Sequence, residues 1–396
     1  MNAVMDVVAG ELGEEPLLIW VDGGFPDLFS LPGLPWPTAV WSTRYLELSS
    51  FTRVLLVDDA ISNMRRDLCR RAALTLIAEI SLREGAADVA AKCAVGANLG
   101  RSWFVSDSNV MDDLEAMPIS EVYVAVWFFG LAHEFGHHCD AEKFAIDPLS
   151  DEAILSFLRS GFDNIAAAPQ LPFSFDTVLD QIRQQPGHPL HPRHLRGEVV
   201  ADLFAAEVVL ETLPGLMARA GAGRPHSLRI IAELLLAETQ IGFIERCRGF
   251  AHLLQHRDNR ALWQAHLLQP AAFHVRMVWL QSYLSSTIAS MSATASTASP
   301  STLRRWESVV SDVAASFTQS MAALESGLAD AMRFALDDDM PVAAMIDELR
   351  VQRDEDKTGG TLLGFETRAF RELAASRQVS SVWLDAVVDA LTPTRP

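Results

Sequence analysis

The feature that most constrains this chain is an apolar run, Val122 to Ala132, that ends directly in His133-Glu134-Phe135-Gly136-His137. The run is far too short to span a bilayer. Opened by Pro118-Ile119-Ser120-Glu121, it predicts an apolar helix from Ser120 to Cys139, with Ser120 as its cap and Glu121 at its positive end. On a helix, residues four apart share a face, so His133 and His137 project side by side.

Two imidazole nitrogens placed that way can reach one zinc ion at about 2.0–2.1 Å. Glu134 is turned roughly 100° around the helix from His133. It sits beside such an ion without having to bind it, where it can take a proton from water and deliver it to a leaving group. Gly136 lets another backbone or a substrate come close, and the apolar helix is a rigid support. The motif fixes only three residues, however, and two histidines on one face could equally be surface or capped core residues.

A second element lies some sixty residues later, in Glu198-Val199-Val200-Ala201-Asp202. Glu198 and Asp202 share one face of a helix predicted from about Leu195 to Leu213, stopping at Pro214-Gly215. Val199, Val200, Leu203, Phe204, Ala205 and Ala206 make that helix apolar. If the face is buried, two anions there need a partner, since unpaired buried charge is costly. A dication supplies one: Glu198 would complete a two-histidine, one-glutamate site, and Asp202 would hydrogen-bond the outer nitrogen of a ligand histidine. The plainer reading is an amphipathic helix with two solvated acids.

Other residues compete for roles. His138 points off the ligand face. His188, His191 and His194 either line the cleft, one of them stabilising an oxyanion, or belong to a polar, proline-rich turn. Tyr123 is about three turns from the motif, and His274 and Tyr283 cannot be placed from spacing alone. Glu207 and Glu211 repeat the four-residue spacing, but Glu207 falls on the face opposite Glu198. Asp58-Asp59 reads as a helix cap.

The pair HEFGHH and GEVVADLFAAE resembles the gluzincin metallopeptidases, which combine HExxH with a downstream glutamate in ExxxD. It is closest in flavour to cytosolic bacterial and phage-associated peptidases of the Lit and ImmA types. The resemblance covers about residues 50–210. It implies a zincin-like core, one Zn2+ held by His133, His137 and Glu198, Glu134 as general base and acid, and Asp202 behind a histidine. It also implies a protein or peptide substrate, of host or regulatory origin. Asp140 and Lys143 stand where a metzincin would have glycine and histidine, so the third ligand is not a histidine in that frame.

Composition narrows the partners. A formal charge of −19 excludes the positive field that nucleic acid requires, and it disfavours an anionic membrane surface. The N-terminal MNAVMDVVAGELGEEP carries acids where a signal peptide wants bases, which predicts no export and a cytoplasmic protein. Cys69, Cys93, Cys139 and Cys247 form no CxxC pair, so neither a disulfide framework nor a thiolate metal site is expected. Oligomeric state is left open.

Residues 17–22 and 53–58 read as short buried strands, 102–105 as an edge strand, and 59–84 as a helix with apolar positions every three to four residues. Residues 164–197 hold five prolines and at most one helical piece, Asp176–Gln184. Residues 226–255, 259–289 and 303–336 are helical in pattern. The Ser/Thr-rich 290–302 reads as a connector between a catalytic region, 1–289 (core 50–210, helical extension 211–289), and a helical region, 303–396. The expected class is α+β, predominantly α-helical, with a small N-terminal sheet. Narrow-specificity peptide hydrolysis is the leading expectation. A helical binding or regulatory protein with a structural or silent zinc site, and a zinc hydrolase of a small non-peptide amide, stand beside it.

Overall fold

A computed structural model of the chain describes residues 2–21, 28–31, 34–42, 62–99, 120–139, 150–166, 175–186, 188, 190–219, 227–256, 260–294, 322–355, 364–376 and 381–392. They are mostly helical with one three-stranded sheet, the α+β, helix-dominated class that the sequence predicts. The expected strands at 53–58 and 102–105, Asp58-Asp59, and residues 295–302 of the expected connector lie outside the described residues.

The chain divides into two compact units, one of 1–46, 120–242 and 264–317, the other of 47–119, 243–263 and 318–396. The first holds α1 (Asn2–Leu12), β1 (Leu17–Val21), β2 (Leu28–Ser30) and β3 (Thr38–Ser42). The second begins with α2 (Ser62–Arg83) and α3 (Ala87–Asn98). The first unit resumes with α4 (Ser120–Gly136), α5 (Asp151–Ala166), α6 (Phe175–Gln184) and α7 (Pro192–Arg219). Helices α8 (Ser227–Gln255) and α9 (Arg260–Thr294) contribute to both units. A helix over 322–336, α10, precedes α11 (Val342–Glu355), α12 (Gly364–Ser376) and α13 (Val382–Leu391), all in the second unit.

In the first unit the strand order is β1-β3-β2, with β1 parallel and β2 antiparallel to β3. Central β3 is buried along its whole length, as a strand covered on both faces must be, whereas Leu17, Ile19, Trp20 and Val21 of edge strand β1 are exposed. Strands β2 and β3 pack on α4. The Thr38 N–H donates to His138 Nε2 at 3.4 Å, so the histidine that follows the motif helps to fasten the sheet to the end of its helix. Below α7, Ile154, Leu158, Val178, Ile182, Leu195, Val199, Leu203, Leu268, Ala271 and Val275 close an apolar core from α5, α6, α7 and α9.

Several boundaries differ from the sequence reading: α4 ends at Gly136 instead of Cys139, and α7 begins at Pro192 instead of Leu195. Helix α7 runs through Pro214 to Arg219 instead of stopping there. A proline removes one hydrogen bond and kinks a helix, at a cost of about 3 kcal/mol, and a long established helix can absorb that without ending. Helix α9 likewise continues through Pro270 and reaches Thr294, inside the expected connector. In the second unit, α2 packs on α3, and Gly96 admits the Phe334 ring: a Cβ at Gly96 would lie 2.5 Å from its Cζ. Cys69, Cys93 and Cys247 are buried and Cys139 is half-buried, and none of the four is in a disulfide. No described helix is long and apolar enough to cross a membrane.

Candidate metal centre

The site is built where α4 crosses α7. A Cβ on Gly136 would stand 2.6 Å from the Ala201 Cα and 3.0 Å from its carbonyl oxygen, so only glycine allows the two backbones to meet there. Gly136 ends α4 between His133 and His137, and Ala201 lies between Glu198 and Asp202 on α7. The closest backbone approach therefore sits at the centre of the four side chains.

The start of α7 is fixed by the turn before it. His191 caps the helix: its Nδ1 accepts from the Arg193 N–H at 3.2 Å, and its carbonyl accepts from Leu195 N at 3.2 Å. Pro192 follows at the first helical position, where a missing N–H costs nothing. His188 Nδ1 accepts from Leu190 N at 3.1 Å, and His194 Nε2 lies 3.1 Å from the Pro186 carbonyl. Of the two readings for these three histidines, the turn is the one their contacts support.

His133 Nε2 lies 3.5 Å from Glu198 Oε2, and His137 Nε2 lies 3.9 Å from Glu198 Oε1. These separations exceed ordinary hydrogen bonds. One ligand atom from each of the three residues can be chosen so that all fall within 4.8 Å of one another, and His133, His137 and Glu198 could hold a metal ion. Their side chains are 3 %, 25 % and 33 % exposed respectively, so the cluster opens to solvent on the His137 and Glu198 side. Glu134 is half-buried on the same helical turn.

Behind the ligands lies a buried charge cluster. His133 Nδ1 is 2.8 Å from Asp202 Oδ1, and both that contact and the Asp202 charge favour the protonated ring. Asp202 is gripped from the other side by Arg276 of α9, whose Nε donates to Oδ2 and Nη2 to Oδ1, both at 2.8 Å. Arg276 Nη2 also donates to Glu238 Oε2 of α8 at 3.0 Å, and its Nη1 lies 3.5 Å from Glu198 Oε2. Asp202, Glu238 and Arg276 are all buried. Neither Arg276 nor Glu238 was singled out from sequence. The available signal was a charge set in an apolar stretch, Arg276 in FHVRMVWL and Glu238 in LLLAET.

Protonation follows from this layout. Burial alone would strip His133 of its proton, but the contacts with Asp202 and Glu198 outweigh it and hold the imidazole well above its usual range. His137 is pushed down to about 4, first by burial and then by the charge of His133. Burial would raise Glu198, yet the His133 contact and the Arg276 charge bring it down to about 2. For Asp202 burial is likewise overcome, by the charge and fork of Arg276, which leave it below the usual carboxylate range. Glu238 goes the other way, since burial dominates and Asp202 beside it adds to the rise. The ligand carboxylate and the carboxylate behind it are thus both ionised, a donor set suited to a cation.

The remaining candidates sit elsewhere. Tyr283 is half-buried against the apolar core, and burial, with Glu207 as a second cause, pushes its phenol up to about 12. Glu207 and His274 are half-buried and Glu211 is exposed. The Tyr123 side chain lies outside the described residues. The chain matches no protein-family model, no curated protein and no solved structure.

Proposed function

We propose that this chain is a zinc-dependent hydrolase of peptide bonds, with His133, His137 and Glu198 as ligands, Glu134 as general base and acid, and Asp202 as the partner of His133. The observation that carries the reading is the convergence of two imidazole nitrogens and one carboxylate from two helices, with Glu134 on the same turn. The donor set of two imidazoles and a carboxylate is one that zinc takes, and with one ligand atom from each residue the three lie within 4.8 Å of one another. Asp202 on Nδ1 leaves Nε2 of His133 as the nitrogen facing Glu198, the tautomer that a ligand requires.

A zinc ion in that position would polarise a carbonyl and make water acidic enough to attack at neutral pH. Glu134 takes the proton of the attacking water and passes it to the departing nitrogen. Proton transfer by a placed carboxylate of this kind is worth about 10²–10⁴ in rate. The choice of a peptide over a small amide rests on the gluzincin resemblance, and narrow specificity on the large helical remainder and the proline-rich stretch 164–197. The test is cleavage of a degenerate peptide library, read by mass spectrometry, alongside zinc content. Wild type is expected to cleave, and Glu134→Gln to keep its zinc while losing at least a hundredfold in rate. A zinc-loaded wild type that cleaves nothing, or a Glu134→Gln variant as active as wild type, would contradict the proposal.

A further inference from the structure

The least expected residue at the centre is Arg276. Burying an arginine is costly unless each face of the guanidinium is used. Here one edge is spent on both oxygens of Asp202, Nη2 is shared with Glu238, and Nη1 reaches toward Glu198. A cation this close to a cation site is at first sight a liability, because it repels the ion that the site is to hold. What it supplies is orientation. Asp202 stands behind His133, and Glu198 is one turn earlier on the same helix, so a single rigid fork reaches both.

The geometry points to Arg276 as the positioning residue of this centre: through its fork on Asp202 and its contact with Glu198, it holds His133 and the third ligand in place before any ion arrives. This rests on the metal-centre reading above. Lysine at 276 would keep the charge but could not span both Asp202 oxygens, since an ammonium is a compact point charge. Arg276→Lys therefore separates position from repulsion, which a neutral variant would confound.

The probe is Co2+, whose visible absorption reports ligand geometry directly, titrated into metal-free wild type, Arg276→Lys, Asp202→Asn and the double variant. Wild type is expected to bind one ion with a tetrahedral spectrum. Arg276→Lys should bind about 10–100-fold more weakly, the usual effect of losing an outer partner of a ligand, with a shifted band. Because Arg276 acts largely through Asp202, the loss in the double variant should be clearly smaller than the sum of the two single losses. Unchanged affinity and spectrum in Arg276→Lys, or losses that simply add, would overturn the assignment. Wild type that binds no Co2+ would remove the centre and this inference together, a result distinct from either. Glu238→Gln guards against misfolding of Arg276→Lys: it leaves the fork on Asp202 intact and should keep affinity within about twofold. A loss there as large as that expected for Arg276→Lys would also overturn the assignment.

Discussion

Two protons decide how the side chains of the centre respond to pH. His133 is held well above the usual imidazole range by Asp202 and Glu198 once burial is overcome, whereas His137 is pushed down to about 4. At neutral pH His137 is then already a free donor, and His133 must lose a proton before it can bind an ion. Zinc binding at pH 7 is expected to release close to one proton, and the affinity should rise with pH until His133 is neutral. Calorimetry in buffers of different ionisation enthalpy measures this; no proton released would contradict it. Without metal the signs oppose each other. His133, with a raised folded pKa, stabilises the fold below about pH 6.5 and loses that contribution as pH climbs through the folded value. His137, with a lowered one, costs stability as pH falls from about 6.5 toward 4. The site was legible at this scale because four-residue spacing on a helix is a local rule. Glu198 and Asp202 were found from it, as were the histidines. Arg276 and Glu238 were not, because Arg276 reaches Asp202 from 74 residues away along the chain and Glu238 reaches Arg276 from 38 residues away.

At the scale of elements, the centre depends on how closely two helices approach. Gly136 meets the Ala201 backbone with no room for a Cβ, which would lie 2.6 Å from the Ala201 Cα. Backbone cannot step aside as a flexible side chain can. Gly136→Ala should therefore push α4 and α7 apart, at about 1–3 kcal/mol of stability. It should weaken zinc binding as well, since the histidines and Glu198 sit on opposite sides of the contact. Urea unfolding and zinc titration of this variant check the two effects; a fully stable variant with native affinity would show that the approach is not required. The motif itself marked this position, because a glycine beside the two histidines leaves room for another backbone to come close. Helices of strong apolar period were readable to within a few residues. Strands β2 and β3 were not, since three to five residues among prolines carry little periodicity, and most of α5 falls in 140–163, where the sequence reading assigns no element.

For the whole molecule, every residue assigned to the centre belongs to one of the two compact units, although they come from positions as far apart as His133 and Arg276. An ion that binds only the folded form stabilises it by mass action, about 2.7 kcal/mol at a hundred times its dissociation constant. The helix-dominated class was legible from sequence because most of the chain follows a helical period. The two interleaved units were not, as their segments alternate along the chain without a change in composition. The claim on which the rest depends is that Glu198 completes a site with His133 and His137. Zinc titration of metal-free wild type against Glu198→Ala, followed by both stoichiometry and unfolding temperature, tests it most directly. The account predicts one zinc per chain and a raised unfolding temperature for wild type, with the affinity and the stabilisation both lost in Glu198→Ala. Zinc bound by Glu198→Ala with undiminished affinity would contradict it.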